Sequence, residues 1–147
     1  MSAIAVANGG TGTLQLVDAE TYEIRGTVRV GGDADNVRYD RTAKRLYVAY
    51  QGGLAVVDPT SSRVVQRVSI EGHPESFQLE HGGSRIFVNL PDAAQVVVAD
   101  RKTASVVARW PALTARLRTA SSVRTGLFGI RQRLHYTYSS RTALDRL

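Results

Sequence analysis

Residues 45–72 read RLYVAYQGGLAVVDPTSSRVVQRVSIEG, three short β-type runs separated by two turn signals. The first turn carries Gly52-Gly53 and the second carries Asp58-Pro59-Thr60. Runs with an alternating or wholly apolar pattern are typical of strands in a packed sheet. Glycine permits the positive φ of a tight hairpin, while proline fixes φ and the Asp58 carboxylate can accept backbone N–H bonds two residues on. The stretch therefore predicts three successive strands.

The same pattern recurs on both sides of this stretch. The aspartates that close the middle run, Asp18, Asp58 and Asp100, are spaced by 40 and 42 residues. A run precedes each of these segments, a third run follows, and a more polar fourth run lies at residues 35–39 and 75–79. Four strands in about 40 residues is the period of a β-propeller blade. The sequence predicts an all-β partial propeller of about two and a half four-stranded antiparallel blades, with units near residues 3–31, 32–72 and 73–111.

These motifs resemble the YVTN-type repeats of bacterial and archaeal β-propellers (YncE-like), a family similar in architecture to quinoprotein-like and lactonase-like propellers. The resemblance rests on Gly72-His73-Pro74, Arg45-Leu46-Tyr47-Val48-Ala49, Val56-Val57-Asp58-Pro59-Thr60 and Val64-Val65. It covers about residues 3–111 and departs from the pattern at Asp33-Ala34, where the proline is missing. It implies a WD-repeat-like propeller, and for many relatives a periplasmic or surface setting, although residues 1–8 lack the features of a signal peptide.

Two and a half blades are fewer than the four to eight with which a propeller normally closes. Each end of an open array presents an uncovered apolar sheet face. We therefore expect this chain to be a piece of a larger propeller or to assemble with further copies.

Composition excludes several classes of protein. Among the 147 residues there is no cysteine, so a disulfide framework, a thiolate nucleophile and a cysteine-ligated metal are ruled out. No stretch approaches the roughly 18 apolar residues of a membrane-spanning helix. The net charge of +6 lies wholly in residues 112–147, which hold seven arginines and one acid, Asp145.

Three interpretations of this basic tail stay open. It is poorly ordered or an out-of-frame remnant, it adds one strand to the last sheet, or it binds phosphates as a nucleic-acid arm. An alternation between residues 128 and 138 favours a strand, and nucleic-acid binding is the least favoured of the three.

The sequence offers few signs of catalysis. The glycine-rich segment Asn8–Gly12 lacks the end of a P-loop and is interpreted as a hairpin turn. No serine-hydrolase elbow, zinc-protease motif or EF-hand spacing occurs. His81 is expected at the surface, Trp110 as an apolar plug of an outer strand, and Arg45 and Arg85 in bonds between neighbouring blades. No catalytic residue, metal site or cofactor is predicted.

One rim of loops is the predicted binding surface, because the turns that lead into the first strands and those between second and third strands meet there. Its predicted ligand-binding residues are Asn36, Tyr50, His73, Glu75, Asn89 and Asp92. The leading hypothesis is a non-enzymatic binding or scaffold module for a protein, peptide or small ligand. The alternative is a fragment of a lactonase-like or quinoprotein-like enzyme that needs further blades.

Overall fold

The computed structural model describes residues 2–112 and the backbone of residues 142–146. Every regular element in these segments is a β-strand, and none is a helix. The strands are β1 (Ala3–Asn8), β2 (Thr13–Asp18), β3 (Ile24–Arg29), β4 (Asp35–Asp40), β5 (Arg45–Tyr50), β6 (Gly53–Asp58), β7 (Arg63–Ser69), β8 (Ser76–Leu79), β9 (Arg85–Leu90), β10 (Gln95–Asp100), β11 (Ser105–Pro111) and β12 (Thr142–Arg146).

The described strands form three four-stranded sheets, ordered β12-β1-β2-β3, β4-β5-β6-β7 and β8-β9-β10-β11. All neighbouring strands are antiparallel. The inner strands β12, β4 and β8 lie side by side, as do the outer strands β3, β7 and β11. Sheets that meet in this radial order are the blades of a β-propeller. The predicted fold class, an all-β partial propeller, is confirmed.

The tail supplies a strand at a place that its sequence pattern did not indicate. Strand β12 pairs with β1, so that Ile4 lies opposite Arg146 and Asn8 opposite Thr142. The added strand therefore completes the first sheet instead of extending the last one. The alternating segment at residues 128–138 lies outside the described residues.

Aspartates close the hairpins at one end of the blades. The Oδ1 atom of Asp18 accepts bonds from the N–H groups of Glu20 and Thr21, at 2.7 and 2.9 Å. Asp40, Asp58 and Asp100 make the corresponding bonds to residues two or three positions ahead, at 2.8 to 3.1 Å. A carboxylate that satisfies turn N–H groups fixes the reversal, as the Asp58-Pro59-Thr60 motif predicted.

Gly53 begins β6 and sits in a backbone conformation that only glycine adopts readily. Its φ is +147°, and a Cβ atom there would collide with the carbonyl oxygen of Val68 on the next strand. The hairpin between Tyr50 and Gly53 thus depends on the missing side chain.

The core lies between the blades. One apolar cluster joins the first and second blades through residues such as Leu14 and Leu46, and another joins the second and third through residues such as Leu54 and Ile86. Strands β5 and β6 of the middle blade are therefore buried on both faces. Strands β2 and β9 of the outer blades alternate buried and partly exposed or exposed positions, because a neighbouring blade covers only one face.

Polar bonds also cross both junctions. The guanidinium of Arg67 donates to the Val30 carbonyl at 2.6 Å across the first junction. Arg101 reaches the Asp40 carboxylate across the second. The expectation that Arg45 and Arg85 fill this role was wrong. Each begins the second strand of its own blade and pairs with an acid of that same blade, Asp58 and Glu80 respectively.

Candidate functional site

Strands β4 and β8 begin beside each other at one rim of the propeller, and their first residues meet. The Asn36 side-chain amide donates a 2.6 Å hydrogen bond to the Glu75 carbonyl oxygen on the neighbouring blade. Asn36 has a φ of +23°, and the pairing of β4 with β5 shifts register between Asp35 and Val37. The bulge at Asn36 therefore interrupts the ladder and turns its side chain toward the third blade.

An imidazole lies between two carboxylates at the same point. The Nε2 atom of His73 is 3.3 Å from Asp33 Oδ2 and 3.9 Å from Glu75 Oε1. Asp33 precedes β4, whereas His73 and Glu75 precede β8, so the group spans two blades. Both acids remain more than half exposed, which leaves their oxygens accessible to a ligand.

Asp35 is the perturbed acid of this group. Its pKa is raised to about 6, chiefly by burial; the Asp33 and Glu75 charges add to the rise, and the Asn36 amide and His73 oppose it. The Oδ1 atom of Asp35 is buried and has no hydrogen-bond partner among the described residues. Near neutral pH this carboxyl group can therefore take up or release a proton.

The structure thus brings three of the predicted rim residues together, namely Asn36, His73 and Glu75, and adds Asp33 and Asp35. We call these five residues the acidic rim group. The sequence signal for the two aspartates was present, because Gly32-Asp33-Ala34-Asp35 aligns with Gly72-His73-Pro74-Glu75. That alignment places Asp33 opposite His73 and Asp35 opposite Glu75, so the repeat itself indicates both acids.

The other three predicted rim residues lie outside the acidic rim group. Asn89 adjoins it, since its carbonyl oxygen accepts the Glu75 N–H at 3.1 Å. Tyr50 packs instead at the first junction, where its ring lies 5.0 Å from the Arg67 guanidinium carbon. Asp92 is exposed in the turn between β9 and β10. Their predicted binding role stays a prediction.

The glycine-rich segment forms the β1–β2 hairpin loop, as interpreted from its sequence. The Gly12 N–H donates to the Asn8 carbonyl at 2.9 Å, and the Thr11 N–H donates to the Asn8 side chain at 3.2 Å. With Arg29, Gly31 and Gly32, this loop lines a shallow cavity of about 240 Å³. The cavity adjoins Asp33 along the same rim.

Within residues 2–112, no group of three or more histidine or acidic side chains is placed to hold a metal ion. The part of the chain that the structure describes also has no helix long and apolar enough to cross a membrane.

The geometry defines a class of protein, the β-propellers, and comparison with known proteins supports that class. No family model matches the chain, and no curated protein matches it. Solved structures do match. Hydrazine synthase of Kuenenia stuttgartiensis has a TM-score of 0.61 and 19% identity, over 67% of this chain and 29% of that one. The dihydro-heme d1 dehydrogenase NirN has a TM-score of 0.65 and 14% identity, over 74% of this chain and 25% of that one. AztD of Citrobacter koseri has a TM-score of 0.58 and 18% identity, over 71% of this chain and 31% of that one.

These likenesses concern the fold alone, because the identities are low. The chain spans between 25% and 31% of the length of these neighbours. Two of these neighbours are named as enzymes, a synthase and a dehydrogenase. The chain is thus a partial β-propeller, and its resemblance to the YVTN-type repeats stays a prediction from its motifs.

Proposed function

We propose that this chain is a non-enzymatic binding module, a YVTN-type propeller fragment whose rim takes a ligand with a positively charged group. One observation carries the proposal: the acidic rim group gathers side chains from two blades at one rim. Binding residues commonly lie on loops that a rigid scaffold positions. Three acids against one imidazole favour an ammonium or guanidinium group, as in a basic peptide segment or an amine.

The proposal is tested with three labelled peptides of equal length, one basic, one neutral and one acidic. We expect fluorescence anisotropy to show binding of the basic peptide and a loss of affinity as salt rises. Affinity should be lower at pH 5 than at pH 7.5, because protonation of Asp35, whose pKa is raised to about 6, reduces the negative charge of the group. Equal binding of the three peptides, or binding of none, would contradict the proposal.

Glu75→Gln and Asp33→Asn remove one charge each and nearly preserve side-chain size. We expect each substitution to lower the affinity for the basic peptide about tenfold, which is the effect of losing one charge-assisted hydrogen bond. His81→Gln is the matched control, since His81 is exposed beyond the opposite end of β8. It should leave the affinity unchanged.

A lactonase-like or quinoprotein-like enzyme is the second candidate, and the perturbed Asp35 is the observation that favours it. A carboxyl group with a pKa of about 6 can act as a general base near neutral pH. Such an enzyme requires blades beyond those described here. Lactone hydrolysis that rises through pH 6 and disappears in Asp35→Asn would support it.

A further inference from the structure

The repeat identifies which side chains face the following blade. Val28 and Val68 hold equivalent places on β3 and β7, and both are buried beneath the following blade. Trp110 holds the same place on β11, where it pairs with Val96, and it is 43% exposed. We define the leading face as this side of the third blade, formed by Phe87, Val96, Val98, Ala108 and Trp110.

The first blade, at the opposite end of the array, leaves uncovered the side that would face a preceding blade. Val64 and Val106 on β7 and β11 pack against the clusters that join their blades to the preceding ones. Ile24 holds the equivalent place on β3, opposite Val17, and is 58% exposed. We define the trailing face as this side of the first blade, formed by Ile4, Val6, Val17 and Ile24.

We propose that a second copy of this chain covers both faces, with the leading face of each copy packed on the trailing face of the other. Leading-type and trailing-type faces already meet at both junctions within the chain, so the contact repeats a packing that this sequence makes twice. The aromatic anchor is Trp110, whose ring lies 5.9 Å from that of Phe87.

The number of copies follows from closure. A head-to-tail contact builds a ring if the rotation closes and a filament if it does not. The described residues of each chain form three sheets, so two copies give six such blades and three copies give nine. Closed propellers have about four to eight blades, and therefore the ring holds two chains. The surfaces involved are distinct from the acidic rim group, so this inference is independent of the proposed function.

Light scattering after size exclusion tests the ring. We expect a mass of twice the 16.0 kDa of the chain. Trp110 is the single tryptophan, so its emission reports on the contact directly. The emission should shift to longer wavelength on dilution, as the ring separates and the indole enters water. A monomer with unchanging emission would overturn the proposal and leave the faces to blades of another chain. Masses that grow with concentration would overturn the closed ring.

Charge substitutions locate the contact. Ile24→Glu and Trp110→Glu should each give a folded monomer, because each places a carboxylate in both junctions of the ring. Val65→Glu is the matched control, since Val65 is 51% exposed on β7 of the middle blade, away from both faces. It should remain dimeric. A dimer that survives Ile24→Glu would overturn the proposal.

Mixing the two variants distinguishes a head-to-tail contact from a symmetric one. The mixed pair retains one junction between an unaltered leading face and an unaltered trailing face. We therefore expect a 1:1 mixture to recover the dimer mass, with both chains present by native mass spectrometry. Failure to recover it, when circular dichroism shows both variants folded, would contradict the head-to-tail arrangement.

Discussion

Arg101 and Asp40 form an ion pair with 2.5 Å between Nη1 and Oδ2, although 61 positions separate them in the chain. The pair joins the turn after β10 to the end of β4, so it ties the third blade to the second. Arg101 also donates to the carbonyl oxygens of Glu80, at 2.9 Å, and Gly83. Both side chains of the pair are largely buried.

Loss of this pair should destabilise the fold. Arg101→Ala leaves the Asp40 carboxylate buried without its cation, and we expect the free energy of unfolding to fall by about 3 kcal/mol. Urea denaturation followed by circular dichroism measures it. The matched control is Arg85→Ala, which breaks the more exposed pair with Glu80 and should lower the free energy of unfolding far less, because solvent screens that pair. Equal losses for the two variants would show that the pair between blades stabilises the fold no more than the pair within one blade does.

Ionisation of Asp35 should make stability depend on pH. Burial raises its pKa from 3.8 to about 6 on folding, so the folded state holds the proton more tightly than the unfolded chain does. The resulting stabilisation is complete below about pH 4 and is lost as the pH rises through 6. Asp35→Asn cannot ionise. The free energy of unfolding of this variant, measured relative to that of the wild type, should therefore rise by about 1–2 kcal/mol from pH 4 to pH 8, after allowance for solvent screening.

Urea denaturation of both proteins across this pH range measures the effect. The difference between them isolates Asp35 from other acids, such as Asp100, whose pKa is lowered by its bond from Ser84 and acts in the opposite direction. Two pH profiles that run parallel would contradict the assignment.

Gly53 should tolerate no side chain. In Gly53→Ala the new Cβ atom meets the Val68 carbonyl oxygen, and the backbone is also strained. We expect a loss of at least about 3 kcal/mol, measured as a fall in the urea midpoint. Gly82→Ala is the control, since Gly82 has a φ of +76° but open space around it. It should cost about 1 kcal/mol, the strain of the backbone alone.

The junction between the second and third blades should carry much of the stability. Leu54 is fully buried there, and Leu54→Ala should cost about 2–5 kcal/mol through lost burial and the cavity that remains. Val65→Ala on the exposed side of β7 should stay within about 0.5 kcal/mol. Thermal unfolding by calorimetry compares the two. A small loss for Leu54→Ala would place the stabilising contacts elsewhere.

The blades could be predicted from the sequence because their determinants are local. Hairpin turns at Gly52-Gly53 and Asp58-Pro59-Thr60 and the apolar runs between them depend on neighbouring residues, and the repeat supplied three readings of the same unit. The rim was predictable for the same reason, since alternating strand direction places Asn36, His73 and Glu75 at one end.

Contacts between blades were harder to predict. Arg101 follows Asp100 in a turn, and nothing in the local sequence indicates that its guanidinium reaches Asp40 on another blade. The raised pKa of Asp35 likewise depends on burial and on charges contributed by a second blade. Strand β12 was missed because pairing between distant segments leaves no local pattern at residues 142–146.

The pairing of Ile4 with Arg146 also governs the order in which the protein can be completed during synthesis. Strand β1 leaves the ribosome before the second and third blades, and its inner neighbour β12 leaves after them, so the first blade stays unfinished while the other two fold. Its exposed edge is open to strands of other nascent chains in that interval. Slow translation should therefore favour misassembly through β1 over the middle blade, whose four strands arrive in succession.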